Sequence, residues 1–180
     1  MTATIKTFGS ADFATLTEQA KAAPRRRANL NVHASAEANV QRLFVATEPD
    51  TYMRPHRHAE SHKWEFFVVL RGRLDLLVFS DAGELTQRVT LSPTTTPAVE
   101  IPPAVFHSYV CMQPGTVGLE VKEGAYIPTP ERDFAPWSPA ERSAGVGGYL
   151  AWLRTAQPPA LSPAPDSAGE AKTNHSRNLA

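Results

Sequence analysis

The most informative pattern in the sequence is a series of short apolar stretches between residues 41 and 122. They are rich in Val, Leu, Phe and Thr, and turn signals such as Arg71-Gly72 and Pro114-Gly115 separate them. Short strands at this spacing predict an all-β sandwich or barrel. The predicted strands are Gln41 to Ala46, Tyr52 to His58, Glu65 to Arg71, Arg73 to Ser80, Glu84 to Leu91, Ala98 to Ile101, His107 to Met112 and Thr116 to Lys122.

Helical spacing of apolar residues occurs only near the two ends of the chain. Ser10 is the predicted N-cap of a helix that runs to about Ala22, and the apolar spacing from Gly148 to Thr155 predicts a second, short helix. Proline is concentrated after residue 127, which favours extended chain there. We therefore expect four regions: an N-terminal helix and basic segment (1–27), a β-barrel domain (28–126), an extended arm with a short helix (127–156) and a disordered tail (157–180).

Composition and charge exclude several classes of function. The 18 basic and 18 acidic residues give a formal net charge of zero, so no overall field would attract nucleic acid. The longest apolar run, Phe66 to Leu70, is far shorter than the ~20 residues of a membrane helix. Cys111 is the only cysteine, and the first ten residues lack the pattern of a signal peptide. We expect a soluble, cytoplasmic protein with a small-molecule ligand and no nucleic-acid or membrane partner.

Three histidines and one glutamate are the candidates for a metal site. His56 and His58 lie two positions apart in a strand-like stretch, so their imidazoles project from the same face. Glu65 and His107 each begin another predicted strand, and a closing barrel would bring all four side chains together. Imidazole nitrogen and carboxylate oxygen suit a first-row divalent ion. The alternative is that the His-x-His pair lies on the surface without a ligand, and the spacing alone leaves it open.

Two motifs resemble the cupin superfamily. The first is His56-x-His58, six residues, Glu65, six residues, Gly72, and the second is Pro102-x-Ala104-x-x-His107. The resemblance implies a double-stranded β-helix, or jelly roll. It also implies one bound divalent metal ion (Fe, Mn, Ni or Zn), with the ligands His56, His58, Glu65 and His107.

A more specific resemblance is to the bacterial WbuC-type cupin-fold metalloproteins. It rests on the segments Arg25 to His33, Arg54-Pro55-His56-Arg57-His58, Val69-Leu70-Arg71-Gly72 and Phe134-Ala135-Pro136-Trp137. Because that group is named for its occurrence in surface-polysaccharide gene clusters, the resemblance favours a sugar or sugar acid as substrate. No reaction is firmly assigned to the group.

The sequence departs from the general cupin pattern in ways that affect the ligand set. Asp50 stands where the first motif usually begins with glycine, and Ala104 replaces a glycine of the second. Six residues separate His58 from Glu65, a longer gap than the pattern has. This loop leaves Glu60 and His62 as alternative ligands, although Glu65 is favoured because the strand that follows anchors it.

Arg54 and Tyr109 are the candidates for catalysis. Arg54 shares the parity of His56 and would point into the same cavity, where it could bind a carboxylate or phosphate. It could equally be a solvated arginine at the rim. Tyr109 alternates in phase with His107, which places it near the metal as a proton donor or as a hydrogen-bond partner of a ligand, unless it is simply a core residue.

These observations favour a metal-dependent enzyme that acts on a small polar or anionic substrate such as a sugar or sugar acid. Isomerisation or epimerisation, lyase chemistry and Fe(II)-dependent dioxygenation all remain open. The alternative is a non-catalytic, metal-dependent module that binds a small ligand. We also expect a homodimer, with the arm packing on the barrel or on a second subunit through Phe134, Trp137, Tyr149 and Trp152.

Overall fold

The computed structural model describes residues 5–165, and the predicted tail beyond them lies outside the described residues. The described chain contains two α-helices, one 3-10 turn (Glu131–Asp133) and nine strands. In chain order the elements are α1 (Ser10–Ala22), β1 (Arg27–Asn31), β2 (Val40–Thr47), β3 (Glu65–Arg71), β4 (Leu74–Phe79), β5 (Glu84–Leu91), β6 (Ala98–Ile101), β7 (Phe106–Cys111), β8 (Thr116–Glu123), α2 (Val146–Thr155) and β9 (Ala160–Leu161).

Two antiparallel sheets form the body of the molecule. The first has the strand order β1-β2-β8-β3-β6 and the second β7-β4-β5-β9. Strands distant in sequence are neighbours in both sheets, as β2 pairs with β8 and β4 with β7. This arrangement confirms the predicted all-β jelly-roll fold with an N-terminal helix. None of the helices formed by residues 5–165 has the length and apolar character needed to cross a membrane.

One predicted strand is wrong. Residues 52 to 58 form no continuous ladder, and the segment makes only an isolated bridge at His56, with His107 on one side and Phe134 on the other. Pro55 has no backbone N–H to donate, which interrupts regular pairing at this point. The strand β1 was not predicted, although Ala28 and Leu30 alternate there with the polar residues Arg27, Asn29 and Asn31.

A small apolar core lies between α1 and the first sheet. Leu16 and Ala20 of the helix are buried against Phe44, Ala46 and Val117 of the sheet. The helix therefore covers the face of β2 and β8 that carries these apolar side chains. The predicted N-cap was wrong by one residue: Gly9 is the N-cap and Ser10 the first helical residue, and the Gly9 N–H donates to Asp12 Oδ2 at 2.8 Å.

The arm packs on the barrel of the same chain. Trp137 lies on Phe79 with the ring centroids 4.9 Å apart, and Tyr149 is fully buried in the same cluster. The prediction that residues 157 onward form a free tail is wrong for Ala160–Leu161, which pair with β5 as β9. Strand β5 would otherwise end the second sheet with unpaired backbone groups there, and β9 supplies partners for them.

Candidate metal site

The site is built where the His56 segment meets β7. The His56 N–H donates to the His107 carbonyl at 3.0 Å, and the His107 N–H donates to the His56 carbonyl at 2.9 Å. Residues paired directly across antiparallel strands project to the same face. The two imidazoles consequently lie side by side, with their ring centroids 4.6 Å apart.

His58 completes a group of three imidazoles. One ring nitrogen from each of His56, His58 and His107 lies within 4.8 Å of the other two. His107 is 1% exposed, whereas His56 and His58 are partly buried and face the opening of the barrel. The structure therefore brings together the three histidines that the sequence singled out, in an arrangement that could hold a metal ion.

Glu65 lies beside the three histidines as the first residue of β3. Its Oε2 atom is 3.1 Å from His58 Nε2 and 3.7 Å from His107 Nε2, and the residue is 2% exposed. Glu65 is not a member of the group whose potential ligand atoms all lie within 4.8 Å of one another. Its carboxylate nevertheless borders that group.

Backbone carbonyls fix which ring nitrogens face the site. His56 Nδ1 lies 3.1 Å from the Arg54 carbonyl and His107 Nδ1 lies 2.9 Å from the Val105 carbonyl. A carbonyl can only accept, so Nδ1 carries the proton in both rings and Nε2 keeps its lone pair. His107 Nε2 is buried and has no hydrogen-bond partner among the described residues. A buried lone pair without a partner is costly, and a metal ion would satisfy it.

The electrostatics of the site favour a neutral His56 beside an ionised Glu65. Burial lowers the pKa of His56 well below its ordinary value, and the neighbouring rings of His107 and His58 lower it further. Burial alone would raise the pKa of Glu65, but the imidazoles of His107 and His58 hold it well below its ordinary value. Neutral nitrogen and anionic oxygen are the forms that ligate a divalent ion.

The two alternative ligands lie away from the three imidazoles. Glu60 is 44% exposed in its side chain and pairs with Lys63 at 3.1 Å. His62 lies in the same loop and packs against Gly124. Among the acidic residues considered from the sequence, Glu65 is the one whose carboxylate reaches His58 and His107.

Tyr109 and Arg54 lie near the site in different roles. The Tyr109 hydroxyl donates to Glu65 Oε1 at 2.7 Å, so it holds the carboxylate in place. Burial and the adjacent Glu65 carboxylate raise the pKa of Tyr109 well above its ordinary value, which keeps the hydroxyl protonated. Arg54 borders the cavity, but its guanidinium pairs with Glu131 at 2.9 Å and lies over the Phe134 ring.

The basic run at residues 25–27 pairs with acids of the same chain. Arg25 and Arg27 both donate to Glu141 Oε1 at 2.7 Å, and Arg26 pairs with Asp50. Since Glu141 belongs to the arm, two of the three arginines fasten the arm to the start of β1.

Glu120 and Lys122 of β8 also line the interior near the site, and the sequence analysis did not identify them. Their side chains form an ion pair, and Lys122 is the register partner of Glu65 on the neighbouring strand. Burial and the charge of Glu65 raise the pKa of Glu120. Burial acts to lower the pKa of Lys122, but the carboxylates of Glu120 and Glu65 outweigh it and raise the pKa.

Two adjoining chambers open onto the histidines. The larger, of about 490 Å³, reaches His58, and the smaller, of about 170 Å³, reaches His56 and Glu65. The larger chamber has the size of an ordinary small-molecule site. The chambers share the residues Arg27, Met53, Glu120, Lys122 and Thr129. A ligand in either chamber would therefore contact β8 and the site together.

Comparison with known proteins gives a likeness in fold. A family model described as a domain of unknown function, DUF6016, matches residues 8–91. No curated protein is similar enough in sequence to count as a match.

Solved structures with a similar fold include these three. KdgF from a Halomonas species is 15% identical over 58% of this chain and 84% of its own, with a TM-score of 0.46. A cupin superfamily protein from Desulfitobacterium hafniense is 11% identical over 54% and 76%, with a TM-score of 0.43. L-ribose isomerase of Cellulomonas parahominis is 14% identical over 58% and 63%, with a TM-score of 0.44. Identities this low bear on no activity or ligand of this chain.

Proposed function

We propose that this protein is a divalent-metal-dependent enzyme that acts on a small polar or anionic substrate such as a sugar or sugar acid. The observation that carries the proposal is His107 Nε2, which is buried without a hydrogen-bond partner in the described chain. It belongs to the group of three imidazoles, and the Glu65 carboxylate borders that group. Three neutral imidazole nitrogens and one carboxylate suit Fe, Mn, Ni or Zn.

His56, His58, His107 and Glu65 would hold the ion in this proposal. When bound, such an ion acts as a Lewis acid on a substrate oxygen or lowers the pKa of a water molecule. The chain itself supplies the orientation of the ligands, since backbone carbonyls hold two of the rings and Tyr109 holds Glu65. The Glu65 carboxylate is buried beside Tyr109, whose ring packs against Phe67 with the centroids 4.7 Å apart.

The closer resemblance to the WbuC-type cupin-fold metalloproteins is part of this proposal. It is supported by the roles that some of the shared segments have in the structure. Arg25 and Arg27 fasten the arm through Glu141, and the backbone of the Phe134 segment bridges His56. We further propose that the protein is a homodimer, and sedimentation analysis of the full chain tests this.

Elemental analysis tests the metal site directly. Protein purified without chelator is measured for Fe, Mn, Co, Ni, Cu and Zn beside Glu65→Ala, with Glu60→Ala as the matched control. We expect about one ion per chain in the wild type and in Glu60→Ala, and little in Glu65→Ala, because a carboxylate ligand is lost. Near-zero metal in every preparation, including protein from metal-supplemented growth, would contradict the proposal. So would loss of metal from Glu60→Ala with normal metal content in Glu65→Ala.

A non-catalytic ligand-binding module is the alternative function. The open chambers beside the histidines fit both functions, since a bound ligand can be transformed or merely held. Incubation of the metal-loaded protein with a panel of sugar acids, followed by NMR, separates them. New resonances that appear with the wild type and not with His107→Ala support an enzyme. Ligand binding without chemical change over the whole panel would favour the binding module.

A further inference from the structure

We propose that the interior of the barrel binds a hydroxylated carboxylate, with Lys122 as the residue that anchors the carboxylate group and with Asn29 and Asn31 as partners of its hydroxyl groups. The inference deepens the proposed function, because it assigns the ligand class of the same site. It rests on the proposed function for the charge of the ion, and on the residues of the cavity lining for the contacts with the ligand. It assigns a specificity role to residues of β1 and β8, outside the two histidine motifs.

Lys122 is placed to reach a ligand that lies beside the proposed metal site. It is the register partner of Glu65, and strands that pair in this way lie about 5 Å apart. The Lys122 side chain is 26% exposed and borders both chambers. An ammonium has three N–H donors, and the ion pair with Glu120 occupies one of them. The remaining donors are available to a carboxylate in the cavity.

Of the other cations of the cavity wall, Lys63 borders the larger chamber but not the smaller and pairs with Glu60, and the guanidiniums of Arg27 and Arg54 donate to the protein. Arg27 donates to the Tyr52 carbonyl at 2.6 Å and to Glu141 at 2.7 Å. Arg54 donates to Glu131 at 2.9 Å and is held over the Phe134 ring. Both guanidiniums thus serve to fasten the arm. Lys122 borders both chambers and lies beside Glu65, and its ammonium has N–H donors beyond the one that Glu120 occupies.

The charge around the proposed metal favours an anionic ligand. Glu65 and Glu120 contribute two negative charges and Lys122 one positive charge, whereas the imidazoles are neutral in the ligating form. A divalent ion in the group of histidines leaves this region with a net charge of one positive unit. Arg25 and Arg27 share the single carboxylate of Glu141 at the wall of the smaller chamber, which adds to the positive potential.

Asn29 and Asn31 supply neutral polar groups on the same wall. They alternate with Leu30 along β1, so both side chains project from the same face, and both line the larger chamber. Both side chains are exposed at this chamber, and neither amide makes a hydrogen bond within residues 5–165. Each amide offers donors and an acceptor, which is the combination that a hydroxyl group requires. Two such groups in a row beside a lysine fit a ligand that carries several hydroxyls and one carboxylate.

Paired ligands that differ only in the carboxylate test the inference. Isothermal titration compares D-glucuronate with D-glucose, D-galacturonate with D-galactose, and D-gluconate with D-sorbitol, on the protein as purified. We expect at least one carboxylate to bind more tightly than its neutral counterpart. Lys122→Met should weaken that carboxylate by about 10- to 100-fold, since a charged hydrogen bond is lost. Asn29→Ala/Asn31→Ala should weaken both members of the pair by similar factors.

Two further variants control for charge and folding. Lys21→Met removes the same charge from an exposed pair on α1 and should leave every affinity unchanged. Glu120→Gln/Lys122→Met leaves no unpaired carboxylate, and it replaces the single variant if Lys122→Met fails to fold. Equal binding of carboxylate and neutral ligand by the wild type, or unchanged carboxylate binding without Lys122, would overturn the inference.

The metal content of the same samples separates this inference from the proposed function. A normal metal content with no preference for carboxylates overturns only the role of Lys122. If no preparation contains metal, a carboxylate preference that depends on Lys122 supports the inference, while the missing metal contradicts the proposed function.

Discussion

The Tyr109 hydroxyl donates a 2.7 Å hydrogen bond to Glu65 Oε1, and both side chains are buried. The other carboxylate oxygen, Oε2, is the one that faces His58 and His107. Tyr109 thus occupies one oxygen of Glu65 and directs the other toward the imidazoles. A core tyrosine on β7 in this way connects the packing of the barrel to the geometry of the candidate metal site.

Removal of the Tyr109 hydroxyl should weaken both the fold and the metal site. Tyr109→Phe leaves Oε1 of a buried carboxylate without its donor, and we expect a loss of about 1.5–3 kcal/mol of unfolding free energy. Loss of the partner of a metal ligand typically weakens metal affinity by about 10- to 100-fold. Urea denaturation and a competitive chelator titration measure the two quantities.

The matched control for this variant is Tyr52→Phe. Tyr52 is a buried tyrosine whose hydroxyl donates to the Pro139 carbonyl at 2.8 Å, a neutral acceptor on the arm. Loss of this hydrogen bond should lower the free energy of unfolding by about 1 kcal/mol and leave the metal affinity unchanged. Equal metal affinities in wild type and Tyr109→Phe would show that Tyr109 does not position Glu65.

Metal removal should lower thermal stability in a way that depends on His107. An ion that binds only the folded state raises the free energy of unfolding by about 2.7 kcal/mol when its free concentration is 100 times its Kd. A chelator should therefore lower the Tm of the wild type by several degrees. His107→Ala and His56→Ala should bind little metal, and chelator should not change their Tm values. His62→Ala should respond as the wild type does, because His62 lies outside the group of three imidazoles. A chelator response retained in His107→Ala would remove that residue from the ligand set.

Gly118 tests how closely the site depends on packing. A Cβ at this position would lie 2.3 Å from Phe67 Cζ, and the Phe67 ring packs against Tyr109 with the centroids 4.7 Å apart. Gly118→Ala must displace the buried Phe67 ring. We expect the free energy of unfolding to fall by about 1–3 kcal/mol and metal binding to weaken. Denaturation and chelator titration of the variant check both effects.

Two further variants separate overpacking from a general effect of alanine. Phe67→Leu/Gly118→Ala makes room for the new methyl group and should recover metal affinity. Gly147→Ala adds a methyl group in open space on α2 and should stabilise by about 0.5–1 kcal/mol. Metal binding by Gly118→Ala at wild-type strength would indicate that Phe67 moves without disturbing Tyr109.

Stability should fall steeply above pH 10 because of buried tyrosines. Burial raises the pKa of Tyr52 and Tyr149 above the ordinary value of 10.0. Above pH 10 these side chains ionise in the unfolded chain but not in the folded one, so the unfolded state is favoured as the pH rises. Each contributes a slope of about 1.4 kcal/mol per pH unit until its folded pKa is reached.

Denaturation curves between pH 9 and 11.5 measure this slope. Tyr149→Phe should reduce the slope of unfolding free energy against pH by the contribution of one tyrosine. The Tyr126 side chain is largely exposed, so Tyr126→Phe should have the same slope as the wild type. An identical slope in Tyr149→Phe and wild type would mean that Tyr149 does not titrate at a raised pKa.

Local patterns in the sequence were sufficient to predict much of the fold. The strands Glu65–Arg71, Glu84–Leu91 and Ala98–Ile101 have the predicted bounds, because runs of apolar or alternating residues end at clear turn signals. Residues 52–58 were predicted as a strand on the same grounds, and the prediction failed at Pro55. The proximity of His56 to His58 did not depend on that strand, since their ring centroids lie 5.2 Å apart without it.

The alternation in β8 shows what sequence pattern alone leaves undetermined. Val117, Leu119 and Val121 alternate with Gly118, Glu120 and Lys122, and such a strand usually places its charged face in solvent. Here the helix α1 covers the apolar face, and the charged face lines the interior of the barrel. Periodicity gives the two faces of a strand, but the packing of other elements decides which of them faces the cavity.

The sequence by itself determined the all-β class and the histidine and glutamate residues that the structure brings to one site, because strand period, turn residues and the spacing of histidines are local properties. Only the tertiary structure decided that Tyr109 donates to Glu65, that the donors of Arg54 are occupied by the arm, and that Lys122 faces the cavity. Each of these contacts joins residues far apart in the chain. Such contacts depend on sheet register, barrel closure and the path of the arm, none of which a local pattern contains.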